Sequence, residues 1–83
     1  MPIQVIVTDL QTHILYRGTL RTGIMQGQSV DIALDAKPGY GLRIGRIRGW
    51  LVSDSNLLYY LFDASGRRYK MRVIPPTVID SKL

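Results

Sequence analysis

The stretch "YRGTLRTG" (residues 16–23) reads as a β-strand with a glycine inside it. Tyr16, Gly18 and Leu20 fall on one face. Glycine weakens a strand interior unless the backbone must bend there or pass close to another segment. Gly18 is therefore expected at a bend or a crowded contact, and both suit a small, strongly curved sheet.

The surrounding sequence repeats the strand pattern. "IQVIVTDL" alternates Ile3, Val5 and Val7 against Gln4, Ile6 and Thr8, and "SVDIAL" sets Val30, Ile32 and Leu34 against Asp31 and Ala33. "RRYKMRVI" alternates Tyr69, Met71 and Val73 against Arg68, Lys70 and Arg72. "NLLYYLF" is apolar on both faces, with Leu57, Tyr59 and Leu61 on one and Leu58, Tyr60 and Phe62 on the other. "DAKPGYG" carries Pro-Gly where a type II turn needs it, and "DASGR" reads as a hairpin loop with Gly66 in the left-handed position. In "LRIGRIRGWLV", Leu42 and Ile44 share one face while Ile47 falls on the other, which predicts a bulge near Gly45. A helix over "SDSNLLYYLF", capped by Ser53, Asp54 or Ser55, is the one competing reading. Strong helix formers are scarce: Glu is absent and Ala and Lys number three each, so the expectation is all-β.

Eighty-three residues suffice for one domain with a modest core, and a composition 46% hydrophobic argues against disorder. We expect residues 1–76 to form the domain and 77–83 a loose tail. No segment is long and apolar enough to span a membrane, and "MPIQVIV" lacks a secretory signal pattern. A cytoplasmic protein is expected. The absence of cysteine excludes disulfides and thiolate metal sites. His13 is the only histidine, and no metal or Ser-His-Asp constellation can be assembled from the spacing. Neither an enzyme nor a cofactor or metal site is expected. "GYGLRIG" is no phosphate loop, since no helix follows it. "RGTLR" superficially suits an Arg-x-x-x-Arg element of PilZ domains, but the companion Asp/Asn-x-Ser-x-x-Gly element is missing.

Charge is unevenly spread. Up to Gly41, Arg17, Arg21 and Lys37 balance Asp9, Asp31 and Asp35, so the later residues carry the entire net charge of +5. Arg43, Arg46 and Arg48, with Tyr40 and Trp50 nearby, form the basic and aromatic pattern of single-stranded nucleic-acid binding. The plainer alternative is a solvated basic face, with Trp50 in a core or interface.

"ILYRGTL" followed by "VDIALDA" resembles the first motif of Sm-like (LSm/Hfq) proteins. The resemblance implies a strongly bent antiparallel barrel of Sm-like or SH3-like type, of five strands with six as the alternative count. No N-terminal helix is expected, because strand pattern begins at Ile3. Gly18 would be the point where the second strand bends, with no room for a side chain beside the strand packed across it. Two stretches compete for the second motif. "IRG" (47–49) matches its core literally, while "SGRRYKMRVIPP" (65–76) matches its spacing and ends the domain. With the second register preferred, "NLLYYLF" and "RRYKMRVI" become the fourth and fifth strands, and "LRIGRIRGWLV" a strand extension or enlarged loop.

The resemblance further implies a ring-forming protein that binds single-stranded RNA, as a chaperone or a processing accessory. Arg48, Arg43 and Arg46 are the expected RNA contacts, with Ser29 and Asp31 where the family places stacking and base-recognising side chains. Leu58, Tyr60, Phe62, Tyr69 and Met71 are the expected contacts between subunits of a homo-oligomer, paired strand beside strand. The rival reading is a structural or protein-interaction barrel that oligomerises without nucleic acid.

Overall fold

A computed structural model of the chain describes residues 3–20, 29–55 and 58–75, the side chains of 53–55 excepted. Six strands follow one another: β1 (Ile3–Asp9), β2 (Leu15–Leu20), β3 (Ser29–Asp35), β4 (Ile44–Ser55), β5 (Leu58–Asp63) and β6 (Arg68–Val73). Each pairs antiparallel with the next, and β6 pairs back onto β1, which closes the barrel. Among the described residues no helix is long and apolar enough to cross a membrane. The segment once open to a helix ends β4 and forms β5. The expected tail at 77–83 and residues 21–28, between β2 and β3, lie outside the described residues.

Alternation puts one set of side chains inside. Val5, Val7, Tyr16, Leu20, Val30, Ile32, Leu34, Ile47, Leu51, Leu61, Tyr69 and Met71 form the core. Each such side chain removed from water contributes about 1.5–3 kcal/mol before entropy is counted. Tyr69 and Met71, expected at a subunit interface, are 1% and 0% exposed and belong to this core. They sit on the inner phase of β6, and the closed sheet covers them.

The sixth strand comes from "LRIGRIRGWLV", which is neither a loop nor an extension of β3. Ile44–Trp50 pairs residue for residue with Ser29–Asp35. The expected bulge near Gly45 is absent, since the β3–β4 ladder runs through the Leu34–Gly45 pair without a shift. Ile44 simply points outward, 83% exposed, while Ile47, Gly49 and Leu51 share the inner phase. The irregularity lies between Leu51 and Ser53, on the β5 side.

Crowding explains the strand glycines. A Cβ at Gly18 would lie 2.7 Å from Ile32 Cγ2 and 3.0 Å from the Ala33 carbonyl oxygen. The obstacle is β3, its hydrogen-bonded neighbour, and not a strand packed across the barrel. A Cβ at Gly49 would strike the Phe62 carbonyl on β5. The Pro38–Gly39 turn forms as expected, with Gly39 at φ +88° and the Tyr40 N–H donating to the Lys37 carbonyl at 3.1 Å.

The end of the barrel holding the β1–β2 and β5–β6 turns is tied by two carboxylates. Asp9, 1% exposed, accepts from the Gln11 and Thr12 N–H groups at 2.8 and 3.2 Å and from Arg67 Nε at 2.6 Å. Asp63 accepts from Ser65 Oγ, the Ser65 N–H and the Arg67 N–H at 2.7, 3.0 and 2.9 Å. Burial pushes the Asp9 carboxyl up, but the Gln11, Arg67 and Thr12 donors together outweigh it and hold the group below the ordinary carboxylate value. The Ser65 hydroxyl is the main cause of a similar lowering at Asp63.

Both carboxyls bind protons more weakly folded than unfolded, so they add stability above the unfolded pKa near 3.8 and lose it as pH falls through their folded values. The melting temperature should stay level down to about pH 5 and drop below it. Asp9→Asn should cost about 1–3 kcal/mol at neutral pH and show a shallower acid limb. An acid limb as steep as wild type would exclude Asp9 as its source.

Candidate nucleic-acid interface

The outer face of β4, β5 and β6 is built by the same alternation. On β4 the outward residues are Ile44, Arg46, Arg48, Trp50 and Val52; on β5, Leu58, Tyr60 and Phe62; on β6, Arg68, Lys70 and Arg72. The register sets them in rows. Trp50 lies beside Phe62, and Phe62 beside Arg68. Tyr60 lies beside Lys70, and Leu58 beside Arg72.

Two aromatic side chains, Phe62 and Tyr60, thus adjoin the cations Arg68 and Lys70, while Trp50 lies next to Phe62 and Arg72 next to Leu58. Trp50, Tyr60 and Phe62 are 42%, 43% and 39% exposed. The Trp50 and Phe62 rings are 5.6 Å apart and inclined by 31°, a tilted pair that braces both at the surface. Trp50 is therefore no core residue. Next to them opens a concavity of about 700 Å³ whose lining includes Leu10, Val52, Tyr60, Phe62 and Arg68. Arg68, Lys70 and Arg72 have no carboxylate partner among the described residues.

The expected RNA contacts divide. Ser29, Asp31, Arg46 and Arg48 come together on β3 and β4, and Ser29 pairs with Trp50. Asp31 Oδ2 accepts from Arg46 Nη1 at 2.7 Å and faces Arg48 Nε at 3.4 Å. One carboxylate shared by two guanidinium groups leaves a net positive charge there. An exposed pair of this kind contributes only about 0–1 kcal/mol, so a phosphate can compete with Asp31.

Arg43 stands apart. It lies in the loop between β3 and β4, over the Tyr16 ring at 5.9 Å, while the Tyr69 hydroxyl donates to Asp63 Oδ2 at 3.4 Å. Burial raises the Tyr69 phenol, and the neighbouring Arg43 guanidinium works against that rise. Tyr40, expected beside Arg43, Arg46 and Arg48, instead packs under the Arg17 guanidinium, 5.6 Å from ring centroid to Cζ.

Two parts of this face escaped sequence reading. Arg68, Lys70 and Arg72 were visible as an outward series, and Tyr60 and Phe62 as an apolar one. Only the β5–β6 register shows that the two series are neighbours. Comparison of the chain with protein-family models, with curated proteins and with solved structures found no match.

Proposed function

We propose that the chain binds single-stranded nucleic acid, with RNA favoured by the Sm-like resemblance, on the outer face of β4, β5 and β6. The observation that carries this reading is the aromatic cluster Trp50, Phe62 and Tyr60, with Phe62 and Tyr60 beside Arg68 and Lys70, and with Arg68, Lys70 and Arg72 lacking a carboxylate partner among the described residues. A single strand presents bases on one side and phosphates on the other. Aromatic faces stack the bases, and the adjoining cations meet the phosphates. A duplex hides its base faces and suits this surface less well. Arg46 and Arg48 extend the charge beyond Trp50, and Ser29 offers a hydroxyl beside it.

Filter binding of a single-stranded RNA across a salt series tests the proposal. With three phosphates neutralised on β6, the plot of log affinity against log salt should have a slope of roughly −2 from these residues. Replacing Arg68, Lys70 and Arg72 together with Gln should remove about that much slope. An unchanged slope would exclude the β6 cations, and no binding at low salt would exclude the function.

A second reading rests on the same exposed side chains. Trp50, Val52, Tyr60 and Phe62 are exposed on this face beside the half-buried Leu58, which also suits contact between copies in a closed homo-oligomer. Every described strand already has two neighbours in the barrel, so such contact would be face to face and not strand beside strand. Light scattering beside the binding series separates the readings. A stable oligomer that ignores RNA favours the second.

A further inference from the structure

A second cationic site lies around the barrel from the aromatic row. Ile6 points outward on β1, and the register sets Arg17 of β2 on one side of it and Arg72 of β6 on the other. Adjacent strands lie about 4.8 Å apart, so the two arginines rise from positions roughly 10 Å apart and can close over Ile6. Tyr40, Val73, Ile74 and Pro75 complete a groove of about 470 Å³, and among the described residues no carboxylate lines it.

Arg17 is held but not satisfied. Its guanidinium lies against the Tyr40 ring at 5.6 Å, and Nη2 reaches Gln4 Oε1 at 3.5 Å. Its Nε is buried with no hydrogen-bond partner among the described residues. A buried donor without an acceptor is rare in folded proteins, and so are neighbouring cations without an anion. One group answers both: a phosphate, whose several acceptor oxygens can reach Arg17 and Arg72 together. Tyr40, Val73 and Pro75 supply the apolar surface for a ring attached to that phosphate.

We propose that this groove binds a nucleoside monophosphate, either free or as the phosphorylated end of a strand. The site does not rest on the aromatic row of β4 and β5. It shares Arg72 with the β6 cations, so Arg17 is the residue to test.

The arginine Nε–H signals of the labelled protein, followed by NMR, report the site directly. Inorganic phosphate and adenosine monophosphate should both move the Arg17 signal, the nucleotide binding about tenfold more tightly through its ring. Adenosine should leave it in place. Arg17→Gln should abolish the response at Arg72. Arg17→Lys, which keeps the charge and loses the Nε–H, should weaken it if the glutamine variant folds poorly. Trp50→Ala with Phe62→Ala should leave the nucleotide response intact.

A short oligouridine with and without a 5′-phosphate distinguishes the sources. Tighter binding of the phosphorylated strand, lost in Arg17→Gln, assigns the strand end, and equal binding of the two assigns the free nucleotide. The proposal is overturned by an unmoved Arg17 signal, by a nucleotide no tighter than phosphate, or by adenosine acting alone. It is equally overturned if the nucleotide response survives both Arg17 variants or disappears with Trp50 and Phe62.

Discussion

Gly49→Ala is expected to lower the stability of the barrel by about 3 kcal/mol or more, the upper range for overpacked cores. For a chain of this size that is a fall in melting temperature of roughly 12–24 °C. The new Cβ would meet the Phe62 carbonyl oxygen, with the Phe62 carbonyl carbon at 2.9 Å and Leu61 Cδ1 at 3.2 Å. Backbone cannot rotate aside as a side chain can. Relief requires β5 to move away from β4, which breaks the ladder at the Gly49–Asp63 and Trp50–Phe62 pairs.

Gly18→Ala provides the internal comparison. Its nearest obstacle is Ile32 Cγ2, a side-chain atom at 2.7 Å, followed by the Ala33 oxygen at 3.0 Å. The nearest atom belongs to a side chain, though a stiff and fully buried one, so a cost below that at Gly49, about 1–3 kcal/mol, is expected, and Gly18→Val should cost more. Thermal melts of the two alanine variants check the order. A Gly49 variant that melts no lower than the Gly18 variant would show that the β4–β5 contact is not tight.

The second large effect is on binding. Trp50→Ala and Phe62→Ala should each weaken single-stranded RNA by about 1–3 kcal/mol, the measured range for loss of one base stack. That is roughly a 5- to 150-fold change for each substitution. The salt slope should stay where it was, because neither change removes a charge. This is the opposite signature from the β6 arginine and lysine substitutions, which alter the slope. Because both rings are partly solvent-exposed, 42% and 39%, the fold should survive their truncation. Wild-type affinity in the double variant would exclude the aromatic row as the binding face. An affinity loss accompanied by a shallower slope would mean that the substitutions had displaced the neighbouring cations.

The Trp50–Phe62 contact makes these two changes interdependent. Removing one ring frees the other to turn, so the double variant should lose less than the sum of the single losses. A strictly additive loss would place the two rings on separate bases.

Much of the architecture was legible because alternation is local. Side chains on a strand change face at every residue, so a run such as Tyr69, Lys70, Met71, Arg72 declares both the strand and its inner phase. The all-β class, five strand segments, the Pro38–Gly39 turn and the outward set Leu58, Tyr60 and Phe62 were all available in this way. Gly18 stood out for the same reason: a glycine on the inner phase of a strand marks a bend or a close approach, and at Gly18 it is the approach of Ile32 and Ala33. The fourth strand was misread because hydrophobicity and facing disagree at Ile44. An apolar residue there suggested an inward phase and hence a bulge, whereas the residue lies exposed and the phase never slips.

What the sequence determined by itself was therefore five of the six strands and the alternation of faces along each, since both follow from the chain's own pleat. The tertiary structure alone decided which strands are neighbours and in what register. It closed β6 onto β1, so Tyr69 and Met71 became core. It drew Arg43 to Tyr16 and Tyr69 at the barrel end and left Arg46 and Arg48 sharing Asp31. It set Phe62 beside Trp50 and Arg68, and Ile6 between Arg17 and Arg72. The physical reason is that pairing joins residues far apart in the chain, and the pleat of one strand carries no record of which strand will hydrogen-bond to its edge.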